Sequence, residues 1–155
     1  MTLTNDQLDS AREFLARVVP WDGSSFVSIH HTFPIQDRSA PGWSGTSNRD
    51  LNGAVRTLQY VESRQNTRDI YVCMASLRNA TEKTKGRGRW FQSDKHANNA
   101  VALKSLFIDV DVKPGAYSTT EEAVRALLTF CRAIGLPVPT GMVESGSGGF
   151  HAYWV

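Results

Sequence analysis

The chain has 155 residues, 41% hydrophobic and 21% charged, which suits one ordinary folded domain and excludes both a wholly disordered chain and a large multidomain machine acting alone. Its 17 basic and 15 acidic residues leave a net charge of +2, so any case for a polyanionic partner rests on where charges cluster. The longest apolar runs are about six residues, too short for a membrane span. Met1-Thr2-Leu3-Thr4-Asn5-Asp6 has neither the basic nor the apolar segment of a secretory signal, so the expected setting is the cytoplasm, with no membrane partner. Cys73 and Cys131 lie far apart among apolar neighbours and read as two buried, reduced thiols. No Cys/His spacing suits zinc.

In chain order, Thr4 and Gln7 fit a capping box ahead of Leu8, Ala11, Phe14 and Val18 at helical spacing, and Pro20 stops that helix. Phe26 to Phe33 reads as extended, and Pro34 to Ser47 as a loop. A second helix is expected from about Asn48 to Arg64, with Leu51, Val55, Leu58 and Val61 on one face. Ile70 to Ala75 is a short apolar run typical of a buried strand. Leu77 to Lys104 is polar and poorly periodic. Within it Lys83, Lys85, Arg87, Arg89, Lys95 and Lys104 oppose only Glu82 and Asp94, a local excess of four positive charges.

Ser105 to Val112 then reads as a strand. Ser118 or Thr119, each with a glutamate three residues on, caps a helix to Ile134, which Gly135 and Pro137 end. Gly141 to Ser145 and Phe150 to Val155 read as strands joined by Gly146-Ser147-Gly148-Gly149. The order predicts an α+β chain of two small α/β units, sharing a sheet or side by side, within one domain over 1–155. The chain stops inside a strand, so the expectation is an incomplete domain or an edge strand lacking its partner.

Three segments could carry chemistry. In Phe107-Ile108-Asp109-Val110-Asp111-Val112, strand alternation puts Asp109 and Asp111 on one face, about 7 Å apart at the backbone from a rise of about 3.3 Å per residue. Their oxygens could converge on one or two hard divalent cations, Mg²⁺ or Mn²⁺. The plainer reading is a half-exposed strand with two solvated acids. It is weakened because acids are poor strand formers and like charges repel. In Glu144-Ser145-Gly146-Ser147-Gly148-Gly149-Phe150-His151-Ala152-Tyr153-Trp154, small residues between strands could let backbone N–H groups cradle phosphate. A flexible hairpin turn beside a partly buried His fits equally well. The glycines lead into a strand, which excludes a dinucleotide fingerprint, and no Gly-Lys-Ser/Thr makes a Walker loop. The stretch Lys83-Thr84-Lys85-Gly86-Arg87-Gly88-Arg89-Trp90-Phe91 suits a nucleic-acid backbone or a triphosphate, or is a solvated surface loop. His30 and His31 are adjacent, point in opposite directions, and receive no role.

The two stronger motifs together, Leu106 to Asp111 and, after a helix, Ser145 to Trp154, resemble the archaeo-eukaryotic primase superfamily, in its phage and plasmid primase-polymerase form. The resemblance is specific from about Tyr71 to Trp154. It implies an N-terminal α/β unit with the basic loop over 1–104, and the start of an RRM-like sheet over 105–155. It implies metal binding by Asp109 and Asp111, and contact of His151 with the phosphates of an incoming nucleoside triphosphate, with Ser145 and Ser147 as weaker contacts. Lys83, Lys85, Arg87 and Arg89 would then hold a single-stranded DNA template, and a helicase domain could act downstream or in trans. The family's third acidic motif is expected after Val155. The competing readings are a non-catalytic RRM-like nucleic-acid-binding module, which would expose aromatics such as Phe107 and Tyr153, and a metal-dependent phosphoesterase using the two aspartates.

Overall fold

Thr4 starts the first helix as its sequence predicts. Its hydroxyl accepts from the Gln7 N–H at 3.3 Å, and the Gln7 side chain accepts from the Thr4 N–H at 2.9 Å. The helix α1 (Asn5–Val18) buries Leu15 and Val18, and the Trp21 indole N–H donates back to the Leu15 carbonyl at 2.9 Å. The computed structural model describes residues 3–36, 39–85, 88–94, 96–145 and 148–155.

Asp22 fixes the turn that follows. Its carboxylate accepts from the backbone N–H and hydroxyl of both Ser24 and Ser25. The Ser25 N–H, then the Ser25 hydroxyl, hold its pKa at about 2 against an ordinary 3.8. The folded carboxyl binds its proton more weakly than the unfolded one. The turn's stabilisation is therefore complete above about pH 4 and is lost as pH falls through about 2. A carboxyl ¹³C titration should show the Asp22 midpoint near 2; a midpoint at the ordinary value would contradict these bonds.

The remaining elements of the N-terminal unit are β1 (Val27–Phe33), β2 (Gly42–Asn48), α2 (Leu51–Glu62), β3 (Ile70–Val72), β4 (Ala75–Leu77), β5 (Ala80–Lys85), β6 (Gly88–Ser93) and β7 (Ala100–Leu103). Five strands form an antiparallel sheet in the order β3-β1-β2-β6-β5, and β4 pairs with β7. Val27 and Ile29 are buried together with Leu15 and Val18 of α1 and Ala54, Val55, Leu58 and Val61 of α2. Asp50 caps α2, accepting from the Gly53 N–H at 2.8 Å.

Three expectations are corrected in this unit. The segment read as a loop, Pro34 to Ser47, contains the strand β2. Its Gly and Ser content looks like turn chemistry, but the glycines make room. A Cβ at Gly45 would lie 2.6 Å from the His30 ring, and one at Gly42 would lie 2.5 Å from the Phe33 ring. The apolar run Ile70 to Ala75 is two short strands broken at Cys73-Met74. Cys73 is only half-buried, whereas Cys131 is fully buried. The basic loop is a β-hairpin, β5 with β6, whose register sets Lys83 opposite Trp90 and Lys85 opposite Gly88. Polar strands lack the apolar alternation that reveals strands in a sequence.

The chain divides into two compact units, Met1–Lys104 and Ser105–Val155. The second comprises β8 (Leu106–Val110), α3 (Thr120–Ile134), β9 (Gly141–Glu144) and β10 (Phe150–Trp154). Its sheet has the order β8-β10-β9, with β10 antiparallel to both neighbours. This is the split β-α-β arrangement with which ferredoxin-like and RRM-like sheets begin. The strand expected at the edge, β10, is therefore the central one. A parallel β8–α3–β9 crossover leaves a gap that the next strand fills.

Thr119 caps α3 by accepting from the Glu122 N–H at 3.2 Å, and Gly135 ends it in the left-handed conformation at φ 72°. Ala123, Leu127 and Cys131 of α3 pack on Val110, Phe150 and Ala152, with Val112 and Trp154 at the margin. Burying each large aliphatic chain here contributes about 1.5–3 kcal/mol. Ile108, expected on the covered face, stays 36% exposed. Both units are mixed α+β, and among the described residues no helix is long and apolar enough to cross a membrane.

Candidate active site

The face of the β8-β10-β9 sheet that carries Asp109 is set by alternation. Phe107 and Asp109 project oppositely to the covered Val110, and their partners on β10 are Tyr153 and His151. Asp109 and His151 are direct cross-strand neighbours, and the His151 Nε2 lies 3.2 Å from the Asp109 Oδ1. The His151 Nδ1 lies 3.3 Å from the Tyr153 hydroxyl. An ionised carboxylate can only accept, so Nε2 is the nitrogen placed to donate to Asp109, while Nδ1 and the Tyr153 hydroxyl face each other at hydrogen-bond distance. The imidazole is thus oriented from both ends. Burial, and secondarily the Asp109 charge, push the Tyr153 phenol up from its ordinary value and keep it a neutral donor. The Asp109 and His151 side chains remain 63% and 41% exposed, open to a ligand.

Asp111 does not share the strand as expected. β8 ends at Val110, one residue earlier, and the chain leaves the ladder with Val112 bridging Tyr117. The Asp111 Oδ2 lies 2.5 Å from the Lys113 Nζ. The Lys113 ammonium is held above its ordinary pKa chiefly by that hydrogen bond, then by the Asp111 charge, and also by the charge of Asp109. It therefore sits in the field of both carboxylates. The donor set is two exposed, hard carboxylates, which fit Mg²⁺ or Mn²⁺. Among the described residues no group of three or more His, Cys, Asp or Glu side chains gathers as a fuller ligand set.

The turn before β10 is tied down locally. The Ser145 N–H donates to the Gly149 carbonyl at 2.7 Å, and the Gly148 N–H to the Ser145 carbonyl at 3.1 Å. The Thr120 hydroxyl at the start of α3 donates to the Gly148 carbonyl at 2.8 Å. Gly148 has φ 86°, and a Cβ on Gly149 would lie 2.7 Å from the Val110 carbonyl oxygen. Glycine is thus required for the turn to pass the end of β8, two residues before His151. Ser145 is half-buried in this turn, and Ser147 lies outside the described residues.

In the N-terminal unit, Lys83 and Lys85 alternate onto one face of the β5–β6 hairpin and Arg89 onto the other. Arg89 pairs with Glu82 at 3.2 Å, and Arg87 lies outside the described residues. His30 contacts the Ser93 hydroxyl at 3.1 Å, and His31 is buried.

Comparison of the chain with known protein families, with curated proteins and with solved structures gives no significant match. One member of the constellation, Lys113, is not evident in the sequence, although it follows Asp111 at a spacing of two. Strand alternation places Tyr153 on the same face as His151, and its hydroxyl lies beside that ring.

Proposed function

We propose that the chain is the catalytic part of a primase-polymerase of the archaeo-eukaryotic type, carrying out template-directed, divalent-metal-dependent nucleotidyl transfer. The observation that carries this reading is the cross-strand pair. A carboxylate from one motif and a histidine from the other, 42 positions apart, meet at 3.2 Å on an exposed sheet face.

In this reading Asp109 and Asp111 hold Mg²⁺ or Mn²⁺, with Lys113 yielding Asp111 to the metal. When bound, the metal activates the attacking hydroxyl and offsets the charge of the triphosphate. Once Asp109 is taken up by the metal, His151, oriented by Tyr153, turns its Nε2–H from that carboxylate to a phosphate oxygen of the nucleoside triphosphate. Gly148 and Gly149 carry no side chain to obstruct the approach of those phosphates. Lys83, Lys85 and Arg89 of the hairpin, together with Arg87, contact the phosphates of a single-stranded DNA template, and a helicase domain downstream or in trans would supply that strand. Cys73 and Cys131, neither of them in a disulfide among the described residues, fit the reducing cytoplasm in which such an enzyme would work.

A second reading draws on the aromatic cluster. The Phe107 ring lies 6.0 Å from Tyr153 and 6.4 Å from His151, as in a base-stacking sheet. Phe107 is 46% exposed but Tyr153 only 4%. One accessible ring beside two acids is a poor platform for a non-catalytic RRM-like module, which stacks two or three bases.

Manganese titration with and without a nucleoside triphosphate separates the readings. Nucleotidyl transfer requires metal and nucleotide to tighten each other. An RRM-like module binds oligonucleotide without metal, and a phosphoesterase binds metal with no such coupling. Within that experiment His151→Ala should weaken nucleotide binding about tenfold to a hundredfold, the scale of a hydrogen bond to a charged group. Manganese affinity without nucleotide should stay within about twofold, because a hard cation prefers the carboxylates. Equal loss of both would make His151 a metal ligand and contradict its role here.

A further inference from the structure

A groove in the N-terminal unit, with a cavity of about 730 Å³, runs between α2 and the strands β2 and β6. That size suits a ligand as large as a nucleotide. Arg56 and Tyr60 line it from one ridge of α2 at i and i+4, Arg64 from just beyond the end of that helix, and Lys85 and Trp90 from the hairpin. Among the described residues, Arg56 and Lys85 make no ion pair. The acid on the wall, Asp50, is committed to the α2 N-cap. Cations in excess and exposed Trp90 and Tyr60 rings together suit a ligand with both phosphate and an aromatic base.

An independent observation points to a ligand. His31 borders the groove, is 97% buried (3% exposed), and both of its ring nitrogens lack a hydrogen-bond partner among the described residues. Buried polar atoms are rarely left in that state without something to satisfy them. Burial, and then the Arg64 charge, hold the imidazole below its ordinary pKa. It is therefore neutral at pH 7 and offers one donor and one acceptor. A bound phosphate oxygen, or water trapped beneath it, would satisfy that ring.

We infer that this groove is a second nucleotide-binding site, in which Arg56, Arg64 and Lys85 take the phosphate and Trp90 stacks the base. The ligand is a free nucleotide or one residue of a single strand, two sources of the same chemistry. The inference deepens the template-binding part of the function proposed above and is independent of the carboxylate site, since it needs no metal.

The test uses the whole chain in EDTA, with three probes: AMP, inorganic phosphate, and a fluorescein-labelled oligothymidylate followed by anisotropy. The wild-type protein should bind AMP, the oligonucleotide, or both. Binding of AMP assigns the site to free nucleotide; binding of the oligonucleotide alone assigns it to a strand. The exposed pair Arg56→Ala/Arg64→Ala should lose at least tenfold in affinity. For the oligonucleotide the salt slope should also flatten by about one to two. Lys85→Ala, on a different element, should weaken binding in the same direction if the helix variant fails to fold. Trp90→Leu should weaken AMP and oligonucleotide but not phosphate, and Asp109→Asn should bind as wild type. The inference is overturned if neither AMP nor oligonucleotide binds in EDTA, or if the double variant, folded, binds both as wild type does. Loss of binding in Asp109→Asn would also overturn it, while leaving the catalytic reading standing.

Discussion

Asp109→Asn should leave the protein folded and lower template-directed nucleotide incorporation by at least about 10²-fold, the scale of removing one preorganised electrostatic contact from a transition state. The change keeps the size of the side chain and removes its charge. In the structure that charge faces the Nε2 of His151 at 3.2 Å and helps to hold the ammonium of Lys113. The side chain is 63% exposed, so the fold does not depend on it, and surface substitutions of this kind change stability by about 0.5 kcal/mol or less. Primer-extension rates with Mn²⁺, measured beside a thermal melt, check both halves. Normal extension by a normally folded variant would remove Asp109 from the chemistry.

The second large effect is on stability. Gly149→Ala should destabilise the C-terminal unit by about 1–3 kcal/mol, the usual cost of forcing atoms into a packed site. The new methyl would lie 2.7 Å from the Val110 carbonyl oxygen and 3.2 Å from the Ser145 Oγ. The nearer atom belongs to backbone at the end of β8, and β8 cannot retreat without breaking its ladder with β10, which begins at Phe150 opposite Val110. Relief would part the strands where Asp109 faces His151, so nucleotide binding should fall with the melting temperature. By contrast, Gly141 has nothing among the described residues within 4 Å of an added Cβ, and Gly141→Ala should melt within about a degree or two of wild type. Equal melting of the two variants would contradict the close approach at Gly149.

What could be read in advance follows from how local each determinant is. The Thr4–Gln7 box and the Thr119 cap with Gly135 are set within a few residues, and both helices begin and end as read. β8 and β10 were legible from apolar residues alternating with the motif residues. β2, β5 and β6 were not, because their sequences are polar. β2 and β6 are strands because partners far along the chain satisfy their backbone, as Ser47 does with Phe91, and β5 pairs with its neighbour β6. The same distinction holds at the site. Asp109 and His151 stand out individually, but their contact depends on a register between strands separated by a whole helix. Asp111 was misplaced for the same reason, since where β8 leaves the ladder is fixed by β10.

The central claim is that a divalent cation binds where β8 and β10 bring Asp109 beside His151. Mn²⁺ added in small steps to ¹⁵N-labelled protein tests it most directly, because the ion broadens the amide signals nearest to it. The account predicts that signals of residues 109–113 and 149–151 vanish first, and that Asp109→Asn abolishes the effect at the same Mn²⁺ concentration. Broadening centred elsewhere, for example at Asp94 and His96, or unchanged in Asp109→Asn, would contradict it.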